Sequence, residues 1–404
     1  MLLDNNEPLK TNIQNILIYI DDAVRYDTFT EIAPILGPQY KTVAASTHTP
    51  TSFGSILTGL YPPLNGVLSF QHSPAPNVES IFDMGELNTS IAARGGMNDT
   101  IASIFGDPPR TTIEQVEPPF IHVVRRPGGH APYDGFDMSK YEYEDETARE
   151  YLYMVADDFE KARRDYTEGV KTSFEEFLNV LNAIEKRGLA EETLIIYTSD
   201  HGEVLGEYGF FGHTHLATPE VVYVPTVFIH PELEKSKQER LFHHVDIVPS
   251  IEEICGVHIN SGRTNGIPFG KGRTKGYNHF EHVQYTEVHP QLQRFTQFFT
   301  GRTIQSLWGR SGGHVFTDAS HIKSAVTYLG LLSQSPEGKQ IYHSGDILNM
   351  LFQYTPGHQI FGSPQFGRDE AREIIAELLE EIPDQREEQL DEETVEHLRD
   401  MGYI

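Results

Sequence analysis

The sequence predicts an α/β fold with a mostly parallel central sheet sandwiched by helices. Short, continuous runs of apolar and β-branched residues recur along the first two thirds of the chain, a pattern typical of strands buried on both faces. A long segment with helical spacing of apolar residues lies between two of these runs. Strands that alternate with helices favour a parallel sheet covered on both sides.

Each element follows from a local pattern. The predicted strands are residues 15–20, 119–124, 193–199 and 224–230. Residues 163–188 predict a helix that ends at Gly188, because Gly is common just past the end of a helix. Its apolar face comprises Tyr166, Val170, Phe174, Phe177, Leu178, Leu181 and Ile184. A polar loop, residues 46–52, is predicted to lead into a short helix over residues 53–57.

The composition and periodicity of the sequence change near Gly262. Gly, Arg, His and aromatic residues dominate the next thirty residues, and their periodicity is weak. We therefore predict a larger α/β core, residues 1–262, and a smaller C-terminal α+β region, residues 263–404. We expect the second region to complete the pocket and to end in acidic helices interrupted at Pro383.

Charge limits the possible partners. The chain of 404 residues has 59 acidic and 31 basic residues and a formal net charge of −28. Nucleic-acid binding needs a positive surface, and adhesion to anionic membranes needs one too, so neither partner is expected. Two interpretations of the charge stay open, a well-solvated cytosolic protein and a protein adapted to high salt.

Cysteine content and hydropathy add further limits. A single cysteine, Cys255, excludes disulfides within the chain and cysteine-cluster metal sites. The N-terminus lacks the pattern of a signal peptide, and the sequence has no run of about 18 apolar residues. We expect no membrane insertion and a cytoplasmic location.

Acidic residues follow two of the predicted strands. Asp21 and Asp22 come after residues 15–20, and Asp200 and His201 follow residues 193–199. Ligands of open α/β sheets bind at the carboxyl ends of strands, where adjacent carboxylates repel each other unless a cation neutralises them. The alternative is a pair of turn acids neutralised by Arg25.

Several histidines lie near these strand ends. His130 follows the strand 119–124 in a Gly/Pro loop, and Glu203, His213 and His215 follow Asp200. Carboxylates and imidazoles together suit Mg²⁺, Mn²⁺, Ca²⁺ or Zn²⁺. His130 is a candidate proton donor or anion ligand, or else an exposed loop residue.

The hydroxyl-rich loop 46–52 lies before a predicted helix. The N-terminus of a helix presents N–H groups and a positive dipole, which suit an anionic phosphoryl or sulfuryl group. A hydroxyl placed there beside a divalent cation has a lowered pKa and can attack such a group. The alternative is simple helix capping by Thr and Ser.

The motifs taken together resemble a known family. The segments NILIYIDDAVRYD, TPTSFGSILTGLYPPLNGV, GGHAPYD, TLIIYTSDHGEVLGEYG and HLRDMGYI resemble those of the sulfatase family of the alkaline phosphatase superfamily, in family order over roughly residues 13–255 apart from the last segment. The resemblance implies an alkaline-phosphatase-like fold and one divalent metal ion, Ca, Mg, Mn or Zn. The metal ligands that it implies are Asp21, Asp22, Thr49, Asp200 and His201.

The same resemblance implies catalytic roles. Thr49, ten residues before Gly59, corresponds to the nucleophile, and His130 corresponds to an active-site histidine. His213 or His215 falls where the family places a Lys or His that contacts the substrate or leaving group. Two residues depart from the pattern of sulfatases, since Thr49 replaces their Cys or Ser and Phe53 replaces their Arg.

These departures favour phosphoryl chemistry. We expect a metal-dependent hydrolase that cleaves a phosphate ester or phosphodiester, and less readily a sulfate ester, through a covalent threonine intermediate. The substrate would be an ester of a small molecule, a glycan or a lipid head group. The alternatives are a phosphoglycerol- or phosphoethanolamine-type transferase and a non-catalytic binding module on the same fold.

Overall fold

The structure is a computed structural model. It describes residues 13–85, 87–92, 96–133, 151–152, 155–156, 158–209, 211–213, 216–256, 258–259, 263–281, 302–320, 322, 324, 355–379 and 386–387. The strands of this part are β1 (Asn15–Asp21), β2 (Pro38–Val43), β3 (His72–Ser73), β4 (Asn88–Ile91), β5 (Phe120–Arg126), β6 (Thr193–Thr198), β7 (Val204–Leu205), β8 (Phe211–Gly212), β9 (Tyr223–Ile229), β10 (Ser236–His243), β11 (Gly276–Glu281), β12 (Thr303–Gly309), β13 (Gly312–Asp318), β14 (His358–Gly362) and β15 (Arg386–Glu387). The helices are α1 (Tyr26–Ile32), α2 (Thr49–Thr58), α3 (Pro62–Asn65), α4 (Gly96–Ile104), α5 (Phe159–Lys186), α6 (Pro219–Val222), α7 (Ile247–Cys255) and α8 (Arg368–Leu378).

The central sheet confirms the predicted α/β class. Within the described residues, seven strands pair in the order β10-β2-β9-β6-β1-β5-β4. The pairs on both sides of β1 are parallel, and β9 alone runs antiparallel to its two neighbours. The carboxyl ends of β1, β5 and β6 therefore meet at one edge of the sheet.

Side chains alternate along β1 between two buried faces. Ile16, Ile18 and Ile20 belong to one hydrophobic cluster, and Leu17 and Tyr19 belong to the other. Successive side chains of a strand point to opposite faces, so a strand buried on both sides is apolar throughout. Helix α2 packs into the first cluster and helix α5 into the second.

The long helix matches its predicted extent closely. It begins after Asp158, whose side chain accepts a hydrogen bond from the amide of Lys161, and ends at Lys186. Gly188 follows with φ 71°, a left-handed conformation that glycine adopts at little cost. Its predicted apolar positions are buried or partly buried against the sheet.

The start of helix α2 differs from the prediction. The helix begins at Thr49 rather than at residue 53, and Pro50 occupies its first turn. Proline suits that position because its missing N–H would be unpaired there and its φ is already helical. The hydroxyls of Thr49, Thr51 and Ser52 therefore lie on the first turn of the helix, not on a preceding loop.

A smaller antiparallel sheet comes from the C-terminal part of the chain. Its described strands pair in the order β11-β12-β13-β14. Tyr277 of this sheet packs with Leu60 and Tyr61 of the core, and Trp308 packs with Val43. The boundary between residues 262 and 263 remains a prediction, because these clusters join the two parts into a continuous interior.

The predicted acidic C-terminal helices are described in part. Helix α8 is the first of them, and the second lies outside the described residues. Among the helices of the described part, none combines the length and the apolar character that crossing a bilayer requires.

Candidate active site

The candidate site lies at the edge where three parallel strands end. Asp22 follows β1, Asp200 and His201 follow β6, and Arg125 lies at the end of β5. The two aspartates and the histidine are fully buried, and Arg125 is 8% exposed. The structure thus brings together side chains that are up to 179 positions apart in sequence, as the strand-end argument predicts.

The ring nitrogen Nε2 of His201 is the centre of this cluster. It lies 3.2 Å from Thr49 Oγ1, 3.5 Å from Asp200 Oδ2 and 3.7 Å from Asp22 Oδ1. The other ring nitrogen, Nδ1, is 3.0 Å from the carbonyl oxygen of Gly202, which can only accept a hydrogen bond. In the neutral ring the proton is therefore on Nδ1, and the lone pair of Nε2 faces two carboxylate oxygens.

The donor set fits a divalent cation. Among the described residues, no hydrogen-bond donor reaches Asp22 Oδ1 or Asp200 Oδ2, although both atoms are buried. Buried polar atoms are nearly always paired, so two carboxylate oxygens and an imidazole lone pair pointing together indicate a missing positive charge. Asp22, Asp200 and His201 offer ligand atoms within 4.8 Å of one another, close enough to share one ion.

The pKa values of Asp200 and His201 reflect the same excess of negative charge. Burial and the charge of Asp22 raise the pKa of Asp200 to about 6. Burial disfavours the charged form of His201, but the carboxylates of Asp200 and Asp22 more than offset it and raise its pKa. Both shifts arise in part from nearby negative charge, which a bound cation would neutralise.

Arg125 is the cation that the structure does place beside Asp22. Burial alone disfavours the carboxylate, but this guanidinium, with nearby histidines, holds the pKa of Asp22 well below its usual range. Arg25, the alternative neutraliser of the turn acids, instead pairs with Asp27 and Glu207. The alternative of turn acids paired with Arg25 therefore does not describe this site.

Asp21 is not brought into the cluster around His201. Its Oδ1 accepts a hydrogen bond from Ser173 Oγ at 2.5 Å, and its Oδ2 accepts one from Tyr197 at 2.8 Å. Adjacent residues at the end of a strand point to opposite sides, so the side chain of Asp21 lies under helix α5 while Asp22 faces the site. Burial raises the pKa of Asp21 to about 7.

The turn after Asp22 is tightly built. Ala23 has φ 57°, which is unusual for a residue with a side chain, and its amide donates to Asp200 Oδ1 at 3.1 Å. A Cβ on Gly128 would lie 2.4 Å from the carbonyl oxygen of Asp22, so only glycine permits the loop after β5 to approach this closely. The turn fixes where Asp22 can point.

The hydroxyls of helix α2 differ in what they contact. Thr51 donates to the carbonyl of Leu68 at 3.0 Å, and Ser52 donates to the carbonyl of Ser46 at 3.1 Å. Thr49, fully buried, is the one among these three whose hydroxyl reaches His201. The structure therefore brings Thr49 to the cluster.

Two further histidines flank His201. The ring of His213 lies 4.0 Å from that of His201, centroid to centroid, and 5.4 Å from that of His130. Burial lowers the pKa of His130, and burial together with His201 and His130 lowers that of His213. His215 lies outside the described residues.

Glu203 contacts His213 at the Nδ1 side of its ring. One carboxylate oxygen accepts a hydrogen bond from Tyr133, and the other lies 2.7 Å from Nδ1 of His213. The carboxyl is 1% exposed, and burial raises its pKa to about 7. Glu203, His201 and His213 also offer ligand atoms within 4.8 Å of one another.

Sequence reasoning missed some of these residues. Arg125 carried a readable signal, because an arginine at the end of a third parallel strand is expected at the same sheet edge as the acids. The sequence indicates Glu203 only as one of several polar residues after Asp200, because its pairing with His213 across a turn has no sequence signature. Ser173 carried no signal, because a serine on a long helix is usually exposed or unremarkable.

Comparisons with known proteins show which family the chain resembles. Residues 99–257 match the sequence model of the family described as Sulfatase. The low-salt glycan biosynthesis sulfotransferase Agl7 of Haloferax volcanii is 27% identical to the chain, over 98% of this chain and 97% of that protein. The resemblance of the chain to the sulfatase family is thereby confirmed.

Solved structures of sulfatase-type proteins share the fold. A 2-O GAG sulfatase superposes with a TM-score of 0.59 at 12% identity, covering 90% of this chain and 89% of that one. A phosphonate monoester hydrolase of Agrobacterium radiobacter superposes with a TM-score of 0.56 at 14% identity, covering 84% and 95%. These structures confirm the predicted alkaline-phosphatase-like fold.

Proposed function

We propose that this enzyme cleaves an ester of an anionic phosphoryl or sulfuryl group by attack of Thr49. The observation that carries the proposal is the convergence on His201 Nε2 of the Thr49 hydroxyl and two buried carboxylate oxygens without hydrogen-bond donors. Thr49 also lies at the N-terminus of a ten-residue helix, where amides and the helix dipole favour an anion.

Asp22, Asp200 and His201 would hold one divalent cation, with the Thr49 hydroxyl beside it. When bound, such an ion supplies positive charge that lowers the pKa of a neighbouring hydroxyl and stabilises negative charge on the transferred group. The family resemblance also implies Asp21 as a ligand, but we leave it out of the proposed set because both its oxygens already accept hydrogen bonds.

The reaction would proceed in two steps. Thr49 Oγ forms a bond to phosphorus or sulfur while its proton passes to solvent, and the bond to the ester oxygen breaks. The leaving oxygen would take a proton from the His213–Glu203 pair, in which the Glu203 carboxyl, with its pKa raised to about 7, lies 2.7 Å from His213 Nδ1 and can supply the proton through the imidazole. Water then attacks the threonine ester, releases the anion and restores the Thr49 hydroxyl.

Phosphoryl esters are the first candidate for hydrolysis. Thr49 is a plain alcohol, and a threonine cannot mature to the formylglycine that the resemblance associates with sulfate-ester hydrolysis. A phosphothreonine can be cleaved by attack of water in line with the oxygen that leaves. We therefore expect phosphate esters or diesters to be hydrolysed faster than sulfate esters.

Transfer of a sulfuryl group to a glycan hydroxyl is the second candidate. It is favoured by the similarity to the glycan sulfotransferase Agl7, which extends over nearly the whole of both chains. The same residues would serve, with an acceptor hydroxyl in place of water in the second step. Phosphoryl transfer to an alcohol would use them likewise.

The test is a matched assay of the purified protein, metal-stripped and then supplied with single divalent ions. Nitrophenyl esters of phosphate, phosphodiester and sulfate are offered with and without glycerol or a glycan acceptor. We expect metal-dependent release of nitrophenol, and a mass gain of one phosphoryl or sulfuryl group on the peptide that contains Thr49. Labelled acceptor would indicate transfer, and turnover without any adduct or metal dependence would contradict the proposal.

A further inference from the structure

Two adjacent histidines lie between β10 and helix α7, His243 at the end of the strand and His244 in the turn that follows, and they contact different partners. His243 and His244 are both fully buried. His244 Nδ1 lies 3.1 Å from the amide nitrogen of Ala45, and its Nε2 lies 2.8 Å from the carbonyl oxygen of Ser199. An amide can only donate and a carbonyl can only accept, so His244 is neutral and carries its proton on Nε2.

The two segments that His244 joins carry the reacting groups. Ala45 lies four residues before Thr49, and Ser199 immediately precedes Asp200. Ser199 also accepts a hydrogen bond from the amide of Val24 at 2.8 Å and donates one to the carbonyl of His201 at 2.7 Å. One imidazole therefore connects the loop that leads to Thr49 (residues 44–48, the nucleophile loop) with the turn that presents the candidate metal ligands.

The nucleophile loop is otherwise held from different directions. The amide of Ala44 donates to Val222, and its carbonyl accepts from Asn278 Nδ2 at 2.9 Å. The carbonyl of Ala45 accepts from the amide of His279. These bonds tie the loop to α6 and β11, whereas the bond from Ala45 to His244 ties it to the end of β6.

We propose that His244 is a positioning residue that sets the distance between Thr49 and the Asp200–His201 pair. This proposal rests on the proposed function, in which those groups act together. A misplacement of about 1 Å in a reacting group can cost about 100-fold in rate, so a bridge between the two segments has direct consequences for turnover. The bridge needs a donor and an acceptor on one small ring, which a neutral histidine provides.

Three variants of His244 test its hydrogen bonds to Ala45 and Ser199 separately. His244→Asn retains an acceptor near the Nδ1 position, His244→Gln retains a donor near the Nε2 position, and His244→Leu retains neither. We expect kcat to fall about 10-fold in each of the first two and about 100-fold in the third, with KM within about twofold of wild type.

The matched control is His243→Leu. His243 is as buried as its neighbour, but its Nδ1 accepts from Val245 and its Nε2 donates to the carbonyl of Tyr277, away from the reacting groups. We expect this variant to lose thermal stability comparably while kcat stays within about threefold of wild type. An equal loss of kcat in His243→Leu, or an unchanged kcat in His244→Leu, would overturn the proposal.

Hydrogen exchange gives a readout independent of turnover. Amides of residues 45–49 and 199–203 should exchange faster in the His244 variants than in wild type or His243→Leu, because the bridge no longer restrains either segment. If His244→Leu does not fold, the Asn and Gln variants carry the test. If wild type cleaves no ester, the proposed function fails, whereas unchanged exchange in both segments overturns the positioning role itself.

Discussion

The two aspartates that end β1 occupy contrasting surroundings. Asp21 lies under helix α5, where Ser173 and Tyr197 donate to its two oxygens. Asp22 faces the opposite side, where one oxygen pairs with Arg125 and the other has no donor among the described residues. The two aspartates are adjacent in sequence and equally buried. Both oxygens of Asp21 accept hydrogen bonds, whereas Asp22 has one oxygen whose charge a bound cation would neutralise.

The contrast teaches that hydrogen-bond satisfaction, rather than residue type or burial, indicates which acids bind a ligand. Burial of a charged carboxylate is unfavourable unless donors or a cation compensate it. Ser173 and Tyr197 supply donors in the first pocket. In the second pocket a divalent ion would supply the charge, and the protein presents Thr49 to the same place.

The largest expected effect comes from Thr49, which belongs to the pocket without donors. Thr49→Ala should lower kcat/KM for an activated ester by about 10³-fold or more, roughly 4 kcal/mol of transition-state stabilisation. Thr49→Ser should retain part of the activity because it keeps the hydroxyl. Steady-state kinetics and the unfolding transition of each variant check this.

The controls for Thr49 are its helix neighbours. Thr51→Ala and Ser52→Ala remove hydroxyls that donate to backbone carbonyls, so they should affect stability more than rate. An active Thr49→Ala beside an inactive Thr51→Ala or Ser52→Ala would show that another hydroxyl attacks.

The next largest expected effect is on the affinity for a divalent ion, and it compares the pocket around Asp21 with the pocket around Asp22. Asp200→Asn should weaken binding of a divalent ion by at least about 100-fold, measured by calorimetry on metal-stripped protein. Asp21→Asn should weaken it by less than about tenfold, since its oxygens are already engaged by Ser173 and Tyr197. Equal losses in the two variants would restore Asp21 to the ligand set that the sequence predicts.

Much of this site could be predicted from the sequence, for a physical reason. Parallel strands deliver their carboxyl ends to one edge, so Asp22, Asp200 and His130 were expected together. The family resemblance placed Asp21 and Asp22 on one ion, whereas the structure points them to opposite sides, as alternation along a strand requires. The fold class followed likewise, because buried strands are recognisable from continuous apolar runs.

The rest depended on contacts that sequence does not encode locally. His244 joins segments 199 and 45 positions away, and nothing in its neighbourhood indicates which partners it meets. The start of helix α2 was missed because polar hydroxyls obscured it, although Pro50 is a typical first-turn residue. Long-range partners and helix ends are set by tertiary packing.

A buried polar atom without a partner also occurs away from the site, which sharpens the comparison. No partner among the described residues reaches Nε2 of His122, a fully buried side chain on β5. Burial lowers its pKa to about 4. Here no pair of carboxylates faces the atom in the described structure, and the ring can remain neutral, so we expect a pH-dependent stability and no ion.

The sign of that dependence follows from the two pKa values. The unfolded chain binds a proton at this histidine below about pH 6.5, whereas the folded chain does so only near pH 4. The free energy of unfolding should therefore fall as pH drops between these values, by up to about 3 kcal/mol from this residue. Urea unfolding at both ends of the range, in wild type and His122→Asn, should show a smaller loss in the variant, and equal losses would contradict the assignment.

The smallest expected effect is the dependence of Tm on salt, which distinguishes exposed acids from buried ones. With a formal net charge of −28, the folded chain repels itself, and salt screens exposed charges far more than buried ones. Tm should rise by at least about 3 °C between dilute buffer and molar KCl, a shift equivalent to roughly 2.5 kcal/mol for a chain of 404 residues. The rise should be the same in Asp21→Asn, because Ser173 and Tyr197 hold Asp21 in the interior, where screening is weak. A flat or falling Tm in wild type would remove the high-salt interpretation of the charge. A smaller rise in Asp21→Asn would show that solvent ions reach the pocket around Asp21. The description of Asp21 as an interior carboxylate held by hydrogen bonds alone would then be wrong.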